Sequence, residues 1–175
     1  MLSHYDNATL YNDSIVAQIV KRFQKQNAIV IYVPDHGEEC YEENRGFICR
    51  NHSADIDWPL AHYEFEIPFW IYCSPKYIKT HRDIYRQIRK AKDKRYMTDA
   101  LPHLLLYLAG IETPTYHEEY NILSPKYNEM RPRILKNSAD YDKLRDAHNA
   151  KIAKEKEAEE AKEKAQKKTK KKKKQ

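Results

Sequence analysis

The chain has 175 residues, 41% of them apolar and 33% charged, with a formal net charge of +6. That length suffices for one ordinary domain with a core plus appendages, and no apolar run approaches the roughly 20 residues that a membrane-spanning helix needs. The N-terminal stretch MLSHYDNATLYND lacks the basic start and apolar segment of a secretory signal. Cys40, Cys49 and Cys73 show no CxxC spacing, which argues against a zinc ribbon and leaves the redox compartment open. The charge is unevenly placed. From Lys143 onward there are 14 basic and 6 acidic residues, a local +8, whereas residues 1–142 carry 18 basic and 20 acidic groups, or −2. The basic character belongs to a tail, so nothing in the main body reads as a nucleic-acid surface.

In chain order, residues 5–26 predict an amphipathic helix, with Leu10, Ile15, Val16, Ile19, Val20 and Phe23 at three- and four-residue intervals. Ala28–Val33 is a continuous apolar, β-branched run that predicts a strand covered on both faces, as in a parallel sheet, stopped by Pro34. Residues 34–65 read as one long polar loop, of a length that is usually functional or disordered. A second apolar run, Ile67–Cys73, predicts another strand, with Pro68 near its start where a lost donor is tolerated. Residues 76–95 predict a polar helix around Ile84 and Ile88. Thr98 and Asp99 supply helix-start chemistry for a helix faced by Leu101, Leu104, Leu105 and Leu108 and ended by Gly110. Residues 111–142 read as irregular, with one short strand at Arg133–Leu135. Beyond Asp142 the composition collapses to Lys, Glu, Ala and Gln. The first half of this tail predicts a solvated helix held by Glu–Lys pairs, and the last eight residues are expected to be disordered. The order of helix, strand, loop, strand and helix defines an α/β sandwich.

In an open α/β sheet, ligands collect outside the carboxyl ends of the strands. Asp35 and His36 stand there, two residues past the first strand and next to Gly37, which allows a close turn. A carboxylate beside an imidazole makes half of a zinc site, but Zn²⁺ takes four ligands, so the bare dipeptide fits a structural turn better than a metal centre. Glu38 and Glu39 read as a solvated acidic turn. His52, sixteen residues on, fits a substrate contact and a surface loop histidine equally. His62, His103 and His117 have less support, and His103 in the Leu-rich helix reads as structural. No GxSxG, GxGxxG, P-loop or HExxH pattern is present.

Four stretches in order change the weight of that dipeptide. The segment Ser3–Asp13 carries a YDN…Y-D pattern, and Ile31–Glu38 reads IYVPDHGE. Glu66–Ile71 reads EIPFWI, and Asp99–Ile111 reads DALPHLLLYLAGI. Together they resemble the phosphoethanolamine transferases of the sulfatase and alkaline phosphatase superfamily over roughly residues 3–142. The resemblance implies a partial alkaline-phosphatase-like sandwich, its C-terminal half, over residues 1–142, with residues 143–175 as a low-complexity tail. Asp35 and His36 match the family's Asp-His zinc ligands. His52 falls where the family has a substrate-contacting histidine, although Ser53 follows it where the family usually has Gly.

The implied chemistry is transfer of phosphoethanolamine from a phospholipid headgroup to a glycan or lipid acceptor by a zinc-activated threonine. The family places that threonine and its first zinc carboxylate upstream of the YDN helix, and Thr9 belongs to the helix rather than to the nucleophile motif. The expectation is therefore one incomplete zinc site, no catalytic nucleophile within the chain, little activity alone, and the missing N-terminal half as a partner. The family sits in the inner membrane with a periplasmic catalytic domain. This chain, without signal or span, is expected to be soluble and cytoplasmic if expressed alone. The competing expectation is a non-catalytic, degenerate domain whose tail, through Lys167–Lys174, contacts anionic membrane or, less suitably, nucleic acid.

Overall fold

The structure is a computed structural model that describes residues 2–42, 48–50 and 55–172. Helix α1, Leu2–Phe23, leads into strand β1, Ile29–Tyr32. A small hairpin of β2, Glu39–Cys40, and β3, Ile48–Cys49, precedes helix α2, Trp58–Phe65. Strand β4, Trp70–Cys73, then returns to pair with β1. Helices α3, Pro75–Thr80, α4, Arg82–Ala91, and α5, Leu101–Ala109, follow. A second hairpin, β5 at Ile134–Leu135 and β6 at Ala139–Asp140, runs directly into the long helix α6, Tyr141–Lys172. The architecture is α/β, as the element order predicts.

The pairing of β1 and β4 differs from the expected parallel arrangement. The two run antiparallel, Ile29 opposite Cys73 and Tyr32 opposite Trp70, and Tyr32 and Trp70 stack with ring centroids 5.1 Å apart. A continuous apolar run reports two apolar faces and says nothing of the neighbour's direction, which is where the inference fails. All four β1 residues are half-buried rather than enclosed. The ladder's exit is tied by Ser74, fully buried. Its N–H donates to the Ala28 carbonyl at 3.0 Å, and its hydroxyl donates to the Gln26 carbonyl at 2.6 Å. The same oxygen accepts from the amides of Ala28 and Tyr77, so one serine closes β4 onto the start of β1 and caps α3.

The polar helix expected within 76–95 around Ile84 and Ile88 is α4, which the backbone of His81 (φ −127°, ψ 52°) separates from α3. One further expectation changes. The predicted long loop at 34–65 contains the β2–β3 hairpin and α2. That helix starts in the expected chemical way: Asp57 accepts from the Leu60 amide at 3.0 Å, with Pro59 in the first turn. The Leu-rich helix ends at Gly110 in the left-handed conformation (φ 66°), where no Cβ penalty arises.

One cluster packs Leu104, Ile122, Leu123 and Ala91 against Phe69, Ile71, Ile84 and Ile88, joining β4 to α4 and α5. A second holds Ala61, Leu135 and Tyr141 with Trp58 and Leu144, joining α2 to the start of α6. Trp58 lies between the imidazoles of His62 and His148, at 5.6 and 5.3 Å. The first turns of α6 are thus part of the packed body, beyond residue 142. Helix α1 is less well covered: Val16, Val20 and Phe23 are half-buried, whereas Leu10, Ile15 and Ile19 of the same apolar set are exposed.

Asp142 in the first turn of α6 gathers the second hairpin. Arg133 donates to it through Nε and Nη2 at 3.2 and 2.6 Å, Arg95 donates from the preceding layer, and Arg145 lies 3.3 Å away. The Arg133 hydrogen bond and the three positive charges hold its carboxyl below the usual aspartate range. A depressed folded value stabilises the fold fully above the unfolded value, and the contribution is lost as pH falls through the folded one. Asp142→Ala is expected to cost about 2 kcal/mol at neutral pH. The gap to the parent should narrow below about pH 4, as urea denaturation at the two pH values will read.

Candidate metal centre

Strand β1 ends at Tyr32, and Val33–Pro34 carry the chain to Asp35, placing Asp35 and His36 at the strand exit as expected. The two side chains converge: Asp35 Oδ2 and His36 Nε2 are 3.6 Å apart. His36 Nδ1 faces the Gly37 carbonyl at 2.8 Å. That contact selects the tautomer with the proton on Nδ1 and leaves the Nε2 lone pair open. The Asp35 Oδ1 accepts from the His36 amide at 3.1 Å, which orients the carboxylate. Asp35 is largely exposed and His36 about one-quarter exposed, so both donor atoms can be reached. The donor set suits Zn²⁺ at bond lengths near 2 Å, but it amounts to two ligands. Among the described residues no group of three or more His, Cys, Asp or Glu side chains is placed to hold a metal.

What holds this turn in place is α2. The Gly37 amide donates to the Glu64 carbonyl at 2.9 Å. A Cβ at residue 37 would lie 2.2 Å from the Tyr63 carbonyl oxygen, so only glycine allows the two backbones to meet. Glu64 is fully buried and lies 3.9 Å from Arg50 Nε, just past β3. Glu39 is also buried, 1% exposed, which corrects its reading as a solvated turn residue: it opens β2, which packs against α2. Sequence reasoning misread Glu39 and passed over Glu64 and Arg50. The available signal was positional, since a carboxylate inside an apolar helix face (Leu60, Ala61, Glu64) needs a cationic partner. His52 lies outside the described residues. His62 pairs with Glu66 at 3.0 Å, and His103 accepts from the His117 amide at 3.1 Å, so both serve the fold. Thr9 is exposed on α1, on a different element from Asp35.

The turn opens onto a groove of about 1020 Å³. Its lining includes the apolar Phe69, Trp70, Ile71 and Ile88 and the basic Arg50, Arg89, Lys92, Arg133 and Lys136. Side chains of both parities along β4 line it, so it follows the strand's outer edge. Apolar walls with converging charged groups are the usual make-up of a ligand cleft.

The strand exit places an Asp-His pair beside the groove of an α/β body, with a glycine pinning the turn. Residues 1–111 match the Sulfatase family model, and the chain belongs to that family. It is 33% identical over 148 residues to phosphoethanolamine transferase EptC of Escherichia coli K12, an alignment covering 80% of this chain and 24% of that protein. It is 29% identical over 98 residues to the Kdo(2)-lipid A phosphoethanolamine 7''-transferase of the same organism, covering 54% of this chain and 16% of the relative. The crystal structure of the C-terminal periplasmic domain of E. coli EptC in complex with Zn superposes with a TM-score of 0.64 at 32% identity, over 80% of this chain and 39% of that one. The alkaline-phosphatase-like fold is therefore established for this chain, which spans about a quarter of the length of the EptC relative.

The Gly37 contact gives a direct check on the turn. Gly37→Ala forces the loop away from Tyr63 and should destabilise the fold by about 1–3 kcal/mol. Thermal denaturation read by circular dichroism will show it, and Gly110→Ala, which meets nothing within 4 Å, supplies the comparison for a glycine whose cost is backbone conformation alone.

Proposed function

We propose that this chain is the C-terminal part of a zinc-dependent phosphoethanolamine transferase domain and contributes two of its metal ligands, Asp35 and His36. The observation that carries the reading is the approach of Asp35 Oδ2 and His36 Nε2 to 3.6 Å at the strand exit, in a chain of the Sulfatase family. The remaining ligands and the threonine nucleophile are supplied from outside these 175 residues. The acceptor is a glycan or lipid, and the donor a phospholipid headgroup. In this reading the domain works on the periplasmic side of the membrane, as the name of the solved EptC domain describes for that protein. Among the described residues no helix is long and apolar enough to cross a membrane.

Each residue has a definite task. Asp35 presents a carboxylate oxygen held by the His36 amide, and His36 presents Nε2 because Gly37 occupies Nδ1. Gly37 and α2 fix the spacing of both. The metal, when bound, lowers the pKa of the attacking hydroxyl and neutralises charge on the phosphoryl oxygens. His52, on the segment after β3, donates a hydrogen bond to the transferred phosphoryl group. The apolar lining of the groove receives the lipid portion of a substrate, and Arg89 and Lys92 among its lining residues supply positive charge for anionic headgroups. With half a site, the isolated chain should bind zinc weakly and transfer nothing.

A zinc titration by calorimetry tests the assignment. The parent should bind in the micromolar range, and Asp35→Ala and His36→Ala should each weaken binding about ten-fold or more. Binding should also fall with acidification, because imidazole ligates only when neutral. Equal binding by all three proteins would remove the metal assignment.

A further inference from the structure

Helix α6 extends far beyond the body that it packs against. Tyr141, Leu144 and His148 sit on α2, and Ile152 is the last half-buried position among the described residues. From Lys154 to Lys164 every described side chain is exposed. A helix that is polar all round gains nothing from burial and depends on its own side-chain pairs. Its charges are segregated. Residues 151–166 hold five lysines and five glutamates, for no net charge. They are laced by i,i+4 pairs such as Lys151–Glu155 at 4.0 Å and Lys164–Glu160 at 3.4 Å. Residues 167–174 are seven lysines and one threonine, with no acidic group. The helix itself reaches Lys172 and so carries five of those lysines.

We propose that α6 is a neutral stem bearing a cationic tip, and that the tip binds an anionic phospholipid surface and holds the domain at it. The stem of sixteen residues is about 24 Å long. That exceeds the screening length of roughly 8 Å at physiological ionic strength. The tip's charge therefore neither perturbs the Asp35–His36 centre nor depends on it, and attraction to a surface is local to residues 167–174. The chemistry of the tip selects a membrane. It has neither arginine for bidentate contacts nor aromatic residues for base stacking, the two features that nucleic-acid readers add to charge. Clustered lysine suits a dense field of headgroup phosphates, where each residue adds on the order of five-fold in partitioning. The preference for lipid over nucleic acid rests on the transferase reading, which places the substrates in a bilayer. The Sulfatase match ends at residue 111, so the family match does not account for this device.

Vesicle co-sedimentation of the full chain tests it. The probes are phosphatidylcholine vesicles with and without about one-third phosphatidylglycerol, and a short DNA duplex at equal phosphate concentration. The tip variant replaces Lys167, Lys168, Lys170, Lys171 and Lys172 by Gln, which leaves the packed body untouched. The expected result is retention on the phosphatidylglycerol vesicles alone. The tip variant should lose it by about 100-fold or more, and the parent should lose it when salt is raised from about 50 to about 300 mM. Asp35→Ala should bind vesicles like the parent, so failure of the metal assignment leaves this result standing. Retention unchanged in the tip variant, or duplex binding equal to vesicle binding, overturns the proposal.

Discussion

The Gly37–Tyr63 approach brings two backbones closer, along the Cβ direction, than any side chain at residue 37 would allow, and the shape of the turn at Asp35 depends on that fact. The turn bearing Asp35 and His36 has no regular structure of its own. It acquires a fixed shape because its third residue donates to the Glu64 carbonyl and rests on the Tyr63 carbonyl. Helix α2 is only eight residues long and would not hold as an isolated element. It is fixed from its start by the Asp57 cap and from its side by Trp58, which stacks on His148 of α6. The candidate metal centre is thus supported by a relay from α6 through Trp58 and α2 to Gly37, each link a named contact between rigid elements.

Charge follows the same route. Asp142 draws Arg133, Arg95 and Arg145 together at the base of α6. Arg133 covers the ring of Tyr141 at 4.2 Å, and the Tyr141 hydroxyl donates to Glu66 at the end of α2. Burial, then that hydrogen bond, pushes the Tyr141 hydroxyl up to about 12, so it stays a donor throughout the physiological range. The pairing of Arg50 with the buried Glu64 repeats the pattern beside the turn. A buried carboxylate is tolerated only with a partner, and here the partner ties β3 to α2.

Much of this was legible from residue pattern. The strand exit at Asp35, the Leu101–Gly110 helix with its left-handed cap and the strand at Ile134–Leu135 all follow from local chemistry, and local chemistry is what a sequence displays. The resemblance supplied the pairing of Asp35 with His36 as ligands, and the 3.6 Å approach gives that pairing a geometry. What was not legible is long-range. The antiparallel sense of β1 and β4 is set by the path of some 37 intervening residues, which apolar periodicity does not encode. Helix α2 was hidden by its brevity, although Asp57-Trp58-Pro59 carries a start signal. Glu39 looked like a surface residue because acidic side chains usually are, and Glu64 fell inside what read as a polar loop.

Helix α1 shows the same division between pattern and environment. Its periodicity correctly gives a helix, yet Leu10 is 70% exposed and Ile15 and Ile19 stay in water while Val16, Val20 and Phe23 are half-covered. An apolar stripe broader than the surface it meets implies further neighbours, because burial of such residues is the main stabilising term in a helix of this kind. The two-stranded β1–β4 ladder points the same way, for its outer edges carry unpaired backbone groups among the described residues. The solved EptC domain extends well beyond the 39% that this chain matches. In a domain of that extent, the α1 stripe and the open ladder are the surfaces across which additional strands and helices would pack. Exposure of the Asp35 carboxylate and exposure of the α1 stripe are then two sides of one property, an α/β body whose apolar and polar faces are only partly covered by its own elements.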